Sequence, residues 1–119
     1  MNTDMKVDAL IAGGGPAGLS AAISASNRGC DVVLIEKCKE IGKIIRTSGL
    51  SWIEEINDFD IPSSFYNPLK KYYMYSPNNK ISLETENPKA CVLDITKLYQ
   101  HLAQKASTAG ARIQLYRLA

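Results

Sequence analysis

The feature that most restricts the fold is a run of nineteen uncharged residues, Ala9–Asn27, interrupted in its middle by Gly-Gly-Gly-Pro at 13–16. A membrane-spanning helix of about 20 apolar residues would have to carry this interruption within the hydrocarbon. A signal peptide would need a basic cluster ahead of the run, whereas two aspartates and one lysine are found there. The run therefore predicts α/β structure around a glycine-rich turn.

Short apolar segments flank this turn on both sides. Residues 7–12 are almost entirely apolar and end at glycines, which predicts a short buried strand. Pro16 suits the first turn of a helix, because its missing N–H has no partner there in any case, and Gly29 stands where such a helix needs a left-handed stop. Residues 31–36 form a second apolar run, closed by Glu36. The predicted order is strand, glycine turn, helix and strand.

The glycines follow the spacing Gly13-x-Gly15-x-x-Gly18, which suits a turn that holds a pyrophosphate. Gly13 permits the tight turn, Gly15 lacks the Cβ that would keep a pyrophosphate away from the backbone, and Gly18 lets the helix pack closely on the strand. The free N–H groups at the helix start, around Pro16 and Ala17, then meet the phosphate charge. A glycine turn alone also fits a purely structural loop, but the flanking strands and helix give the context that the motif requires.

An acidic residue completes the pattern, because Glu36 lies eighteen positions after Gly18 at the end of the second strand. An acid at about this offset accepts hydrogen bonds from an adenosine ribose and repels a 2′-phosphate, so NADP is disfavoured at this site. The residues predicted to bind an adenine dinucleotide are Gly13, Gly15, Pro16, Ala17, Gly18, Glu36 and Lys37.

The next stretch, CKEIGKIIRTSGLSWIEE at 38–55, resembles the segment after the second strand in FAD-dependent oxidoreductases of the geranylgeranyl reductase type. These belong to the larger group that includes p-hydroxybenzoate hydroxylase. In that family a Gly-Lys-x-x-Arg run brings an arginine towards the flavin, and Arg46 stands at that position. The resemblance implies FAD as the cofactor and Arg46 as a further cofactor contact. Thr47 replaces a cysteine of many members, and Ile95 replaces a second arginine that approaches the flavin.

The stretch YYMYSPNNKISLETE at 72–86 resembles a strand pair that the family inserts between the second and third strands of the cofactor domain. Ile81, Leu83 and Thr85 alternate with polar residues, which predicts a half-buried strand, and residues 77–79 supply the turn. The insertion is expected to span residues 60–93 and to belong to the substrate side.

A third strand and its helix follow the insertion. An amphipathic helix is predicted from Asp94 to a stop at Gly110, and a short strand follows within residues 112–118. A short helix near Trp52 is predicted to carry Trp52, Ile53 and Ile56 on its apolar side. The fold class is therefore α/β, a partial Rossmann-like FAD-binding domain over residues 1–119. It has three parallel strands with covering helices and carries an inserted β-strand pair.

By resemblance, the complete enzyme would reduce carbon–carbon double bonds of an isoprenoid chain, although a flavin monooxygenase or a quinone-linked flavoprotein would begin similarly. Family members are several times longer. We therefore expect the N-terminal portion of a flavin oxidoreductase, too short to act alone, with the missing C-terminal part supplied as a separate chain. A non-catalytic dinucleotide-binding module and a truncated, non-functional product are the alternatives. No residue is assigned a catalytic role.

Charge and cysteine content exclude several other classes. The net charge is +2 and no block of like charge exceeds two residues, which argues against a nucleic-acid surface. Three scattered cysteines and the single His101 match neither a disulfide framework nor the spacing of a metal site. We expect a reducing cytoplasm as the compartment, with a peripheral membrane location open for the complete enzyme.

Overall fold

The computed structural model describes residues 4–119, which form two compact units. The first unit reaches Ile45 and resumes at Thr96, and the second runs from Arg46 to Ile95. Along the chain the elements are β1 (Ala9–Ala12), α1 (Pro16–Asn27), β2 (Val32–Glu36), β3 (Leu50–Trp52), α2 (Ile53–Asp58), β4 (Tyr66–Pro68), β5 (Lys71–Tyr75), β6 (Lys80–Glu84), β7 (Ala90–Leu93), α3 (Ile95–Ala109) and β8 (Arg112–Leu115), with a 3₁₀ turn at Ser63–Phe65.

The first unit is built on a parallel sheet in the order β1-β2-β8. The central strand β2 pairs with β1 on one side, where Val32 lies opposite Ala9, and with β8 on the other, where Leu34 lies opposite Ile113. This confirms the prediction of three parallel strands. Because the carboxyl ends of parallel strands meet at one edge, the residues that follow the three strands come together there.

Helices α1 and α3 share one hydrophobic core with the central strand. Val32 and Leu34 point to the same side of β2 and are fully buried against Leu19 of α1 and Ala106 of α3, among other residues. Successive residues of a strand face opposite sides of the sheet, and Leu10, which lies between Ala9 and Ile11 of β1, is 64% exposed. The predicted helices after Pro16 and Asp94 are therefore confirmed as covering helices of this sheet.

Both covering helices end as predicted. Gly29 follows α1 with a φ of +86°, and Gly110 follows α3 with a φ of +114°. In each case the glycine N–H donates to a carbonyl three residues back, and the next N–H donates to one five residues back. This is the Schellman arrangement, which satisfies carbonyls that the helix leaves unpaired at its end.

The second unit contains a three-stranded antiparallel sheet in the order β3-β7-β4 and a separate hairpin of β5 and β6. The hairpin and its turn, closed by a 2.8 Å hydrogen bond from Ser76 N to Asn79 O, confirm the predicted strand pair. The three-stranded sheet was not predicted. The assignment of residues 60–93 to a substrate side stays a prediction.

Two details of this unit differ from expectation. Trp52 ends strand β3 instead of lying on the apolar side of α2, and it is 59% exposed, whereas Ile56 of α2 is buried. Strand β6 is exposed along its whole length instead of half-buried. The reason is that a two-stranded hairpin does not by itself bring a further strand or helix against either face. Alternation of apolar and polar residues in the sequence therefore does not ensure that one face is buried.

Of the helices in residues 4–119, none combines the length and apolar character needed to cross a membrane. The longest of these described helices, α3, has 15 residues.

Candidate functional site

The glycine turn lies at the carboxyl end of β1 and leads directly into α1. Gly13 has a φ of +109°, a conformation that side chains with a Cβ rarely adopt. Its N–H donates to Ile35 O at 2.8 Å, which ties the start of the turn to the end of β2. The task predicted for Gly13 matches its geometry.

Gly15 and Gly18 differ in what surrounds them. A Cβ on Gly15 would meet no atom within 4 Å, so the turn leaves open space beside this residue. A Cβ on Gly18 would approach Gly13 O far closer than 3.0 Å, so Gly18 allows the close packing of α1 on the end of β1. Pro16 is the first residue of α1, and the first intrahelical bond joins Leu19 N to Gly15 O at 3.0 Å. The N–H groups of Ala17 and Gly18, ahead of that bond, therefore have no acceptor within the helix.

Gly14 has a part that sequence reasoning missed. Its N–H donates to Glu36 Oε2 at 2.7 Å, and the residue is buried. A Cβ here would collide with the side chain of Ile41 and lie 3.1 Å from the same carboxylate oxygen. The available signal was that Gly14 makes the run Gly13–Gly15 three consecutive glycines, although the dinucleotide motif requires no glycine at the middle position.

The second oxygen of Glu36, Oε1, accepts a hydrogen bond from Cys38 N at 2.9 Å. Burial raises the pKa of Glu36, but the backbone N–H groups of Cys38 and Gly14, together with the neighbouring Lys37 charge, outweigh that effect and hold the pKa below its ordinary value. The carboxylate is thus ionised at neutral pH. Since each carboxylate oxygen has two lone pairs, both oxygens retain acceptor capacity for a ligand hydroxyl.

A cavity of about 190 Å³ opens at this edge of the sheet, where ligands bind in open parallel α/β sheets. Three of the predicted residues, Gly13, Glu36 and Lys37, line it. Arg117 also lines it and was not predicted, although the pairing of β8 with β2 brings the residues after β8 beside Glu36. The remaining lining residues are Ala12, Ile35, Leu118 and Ala119.

Arg46, the eighth predicted residue, is exposed and is the first residue of the second unit. Its role towards a flavin stays a prediction. The Gly-Lys part of its motif lies in the first unit, where Gly42 O accepts a hydrogen bond from Thr96 Oγ1 at 2.9 Å. Ile95, at the position of the family's second arginine, is 7% exposed and belongs to the buried residues.

Metal and disulfide chemistry find no support in residues 4–119. No group of three or more histidine, cysteine or acidic side chains in this range could hold a metal ion. Cys30, Cys38 and Cys91 are free thiols. Burial raises the pKa of the Cys91 thiol, which favours its protonated, unreactive form.

The family model of FAD dependent oxidoreductases matches residues 8–117, which is nearly the whole chain. The chain belongs to this family. FAD is therefore the cofactor, and the α/β fold is that of a partial FAD-binding domain.

Similar proteins agree with this assignment. The chain is 38% identical over 115 residues to a digeranylgeranylglycerophospholipid reductase of Thermoplasma acidophilum, covering 89% of this chain and 29% of the relative. A crystal structure of a geranylgeranyl bacteriochlorophyll reductase-like protein from the same organism superimposes with a TM-score of 0.76 at 35% identity, over 92% of this chain and 30% of that one. A crystal structure of 2-methyl-3-hydroxypyridine-5-carboxylic acid oxygenase superimposes with a TM-score of 0.60 at 28% identity, over 90% of this chain and 30% of that one. The chain thus spans about three-tenths of the relatives' length.

The residues present fit the diphosphate part of FAD. The observation that decides this is the open space at Gly15, beside N–H groups at the start of α1. A diphosphate can approach the backbone closely only where no side chain intervenes, and the partial positive charge at the start of α1 stabilises its negative charge.

Proposed function

We propose that this chain binds the ADP half of FAD and forms the N-terminal, FAD-binding portion of a flavin-dependent oxidoreductase. The observation that carries the proposal is the combination of bare backbone at Gly15 with an ionised Glu36 at the end of the neighbouring strand. The first element accommodates the diphosphate and the second accepts a ribose hydroxyl. Gly13 of the turn and Glu36 also line one cavity at the carboxyl edge of the parallel sheet.

Each residue has a defined part in this proposal. Gly15, Ala17 and Gly18 present backbone to the diphosphate, and Pro16 begins the helix without placing an N–H in the way. Gly13 makes the turn, while Glu36 and Lys37 meet the adenosine end. Arg46 contacts the cofactor nearer the flavin. These assignments are supported by the family match and by the geometry of the turn.

The proposed reaction of the complete enzyme is the reduction of isoprenoid carbon–carbon double bonds. Its support is the 38% identity to a digeranylgeranylglycerophospholipid reductase and the 35% identity to a geranylgeranyl bacteriochlorophyll reductase-like structure. When bound, FAD supplies the hydride-transfer chemistry, and the protein binds and orients it. This chain would hold the nucleotide end fixed, so that the reactive ring is presented to a site formed by the rest of the enzyme.

We further propose that the remainder of the enzyme joins this chain as its partner, and that both work in the cytoplasm or at the membrane surface. The three free thiols are consistent with a reducing compartment. An apolar isoprenoid substrate would reach such an enzyme from the lipid phase.

The second candidate is a nucleotide-binding module without catalysis of its own. It is favoured by one observation: the turn, α1 and Glu36 all belong to the first unit and are joined by hydrogen bonds within it. Arg46 separates the two functions, because only a flavin-binding chain needs an arginine towards the flavin end of the cofactor.

The test is calorimetric titration of ADP and FAD into the wild type and Gly15→Val. Gly15 has a φ of −82°, so valine does not force the backbone into a forbidden region, but its branched side chain fills the open space beside the turn. We expect at least about tenfold weaker binding of both ligands, equivalent to about 1.4 kcal/mol. Ser24→Val places the same side chain on an exposed position of α1 and should leave binding unchanged. Equal affinity of Gly15→Val and wild type would contradict the proposed site.

A further inference from the structure

The residue that follows strand β8 has an uncommon backbone conformation. Tyr116 has a φ of +58°, and within residues 4–119 the only other non-glycine residue with positive φ is Asp60. The left-handed region is disfavoured for residues with a Cβ, and bulky side chains are rarely found there. The ring does not account for the conformation by burial, because Tyr116 is 72% exposed. Such a conformation in an exposed aromatic residue raises the question of what it holds in place.

The turn at Tyr116 fixes the loop after β2. Its N–H donates to Cys38 O at 2.9 Å, and the next N–H, of Arg117, donates to Glu36 O at 2.8 Å. Strand pairing of β2 with β8 ends at Glu36 opposite Leu115. The two bonds therefore extend the contact beyond the sheet and hold residues 36–38 by their carbonyl groups.

The other side of this loop holds the carboxylate. Cys38 N donates to Glu36 Oε1 at 2.9 Å, and Gly14 N donates to Oε2 at 2.7 Å. Cys38 thus accepts from Tyr116 through its carbonyl and donates to Glu36 through its amide. A continuous series of hydrogen bonds runs from Tyr116 through Cys38 and Glu36 to the glycine turn.

A side-chain contact adds to the same arrangement. Lys39 Nζ lies 5.5 Å from the centre of the Tyr116 ring, within the range of a cation–π interaction. Lys39 follows Cys38 directly, so the ring and the backbone N–H of Tyr116 contact neighbouring residues of one loop.

We propose that Tyr116 is a positioning residue of the nucleotide site: its left-handed turn fixes the loop of residues 36–39, so that the Glu36 carboxylate stays bonded to Gly14 and directed at the ribose. The inference rests on the proposed function for the ligand, but the ordering of the loop is a property of the chain alone. The alternative is that the turn at Tyr116 only ends strand β8 and has no effect on the loop of residues 36–39. It predicts that changes at Tyr116 affect overall stability without a selective effect on the loop.

The test compares two variants that both lack the ring and differ by one Cβ. Tyr116→Gly adopts positive φ readily, and Tyr116→Ala disfavours it. Tyr116→Asn is the conservative replacement, because asparagine tolerates the left-handed region. Asp60→Ala is the matched control, since it alters the other positive-φ residue, which belongs to the second unit.

The first readout is amide hydrogen exchange of Gly14 and Cys38, measured by NMR relative to Val33 in the middle of β2. We expect these two amides to exchange about tenfold more slowly in Tyr116→Gly than in Tyr116→Ala, a factor that corresponds to the left-handed penalty that applies to alanine and that glycine avoids. Wild type carries the same penalty as the alanine variant but keeps the ring contact with Lys39, so its ratio should lie between those of the two variants. Tyr116→Asn should lie closer to Tyr116→Gly, and Asp60→Ala should retain the wild-type ratio within about threefold. A uniform change in all three amides, or equal ratios in Tyr116→Ala and Tyr116→Gly, would overturn the proposal.

The second readout is the affinity for ADP, measured by calorimetry on the same proteins. We expect Tyr116→Gly to bind ADP about tenfold more tightly than Tyr116→Ala, with wild type and Tyr116→Asn between the two. Wild-type protein that fails to bind ADP would refute the proposed function, while the exchange ratios would still decide the role of Tyr116 in the loop. Wild-type binding combined with equal affinities of the alanine and glycine variants would refute the positioning role alone.

Discussion

Gly18→Ala is the substitution for which the structure makes the most definite claim about stability. In an ordinary helix interior, replacing glycine by alanine stabilises by about 0.5–1 kcal/mol. Here the new Cβ would lie 3.3 Å from Ile11 Cγ2, 3.2 Å from the carbonyl carbon of Gly13, and much closer than that to its oxygen. The Gly13 carbonyl would have to move by about 1 Å to restore a 3.0 Å separation.

That carbonyl cannot move freely, because the N–H of Gly13 is bonded to Ile35 O and the next amide, of Gly14, is bonded to Glu36. Overpacking costs about 1–3 kcal/mol, a neutral hydrogen bond about 1 kcal/mol, and one to a charged group about 1.5–3 kcal/mol. Allowing for the gain in helix propensity and for partial relaxation of the turn, we expect a net loss of about 2–4 kcal/mol. Small domains are stable by only about 5–15 kcal/mol, so this loss is a large fraction of the total.

The measurement is urea-induced unfolding followed by circular dichroism at the helix band, with the free energy of unfolding extrapolated to water. Gly15→Ala is the control, because a Cβ there meets no atom within 4 Å and the φ of −82° suits alanine. We expect it to change stability by no more than about 1 kcal/mol. If Gly18→Ala were as stable as wild type, the close approach of α1 to the end of β1 would be refuted.

Three further changes test other parts of the structure. Glu36→Ala should weaken ADP binding about tenfold and narrow the preference for ADP over 2′-phospho-ADP, measured by calorimetry; an unchanged preference would contradict the ribose role. Because the folded-state pKa of Glu36 is lowered, its contribution to the free energy of unfolding is present above the ordinary value of 4.5 and is lost as pH falls through the lower folded-state pKa. The free energy of unfolding of the wild type should therefore approach that of Glu36→Ala as the pH is lowered. Ser26→Ala should raise the free energy of unfolding by about 1 kcal/mol, since the buried Ser26 Oγ has no hydrogen-bond partner, and a lower value in urea unfolding would argue that this hydroxyl is satisfied. Arg46→Ala in a complete enzyme should weaken FAD binding more than ADP binding, and equal losses in calorimetry would favour the plain nucleotide module.

The elements of the first unit were predictable because their signals are local. Pro16 and Gly29 mark the ends of α1, and the apolar run of β2 is closed by Glu36, all within a short stretch of chain. The strands of the three-stranded sheet were not predicted, since each has only three or four residues and pairs with a distant partner, as Leu50 does with Val92. Pro68 in β4 also weakens any strand pattern, although the edge of a sheet tolerates proline.

The candidate site was predictable to the same extent. The spacing of Gly13, Gly15 and Gly18 and the position of Glu36 depend only on sequence offsets, which is why the sequence alone could nominate those residues. The bond from Gly14 to Glu36 and the turn at Tyr116 depend on side-chain direction and on an unfavourable φ, and neither leaves a recognisable sequence pattern. The position of Arg117 at the cavity could not be predicted, because it depends on which strand pairs with β2.

The strand order β1-β2-β8 has a consequence for the folding of this chain and for the lengths that its second unit can have. β1, α1 and β2 follow one another directly, whereas β8 joins only after an excursion of about fifty residues, the second unit. The entropy of closing such a loop grows only with the logarithm of its length, by about 0.6 kcal/mol for each doubling. The second unit could therefore change in length at little thermodynamic cost, while the glycine turn, α1 and Glu36 keep their arrangement within the first unit. The same order makes docking of β8 the slow, long-range event in folding. The site at the carboxyl edge of the sheet would therefore be complete only after β8 has paired with β2 across the second unit.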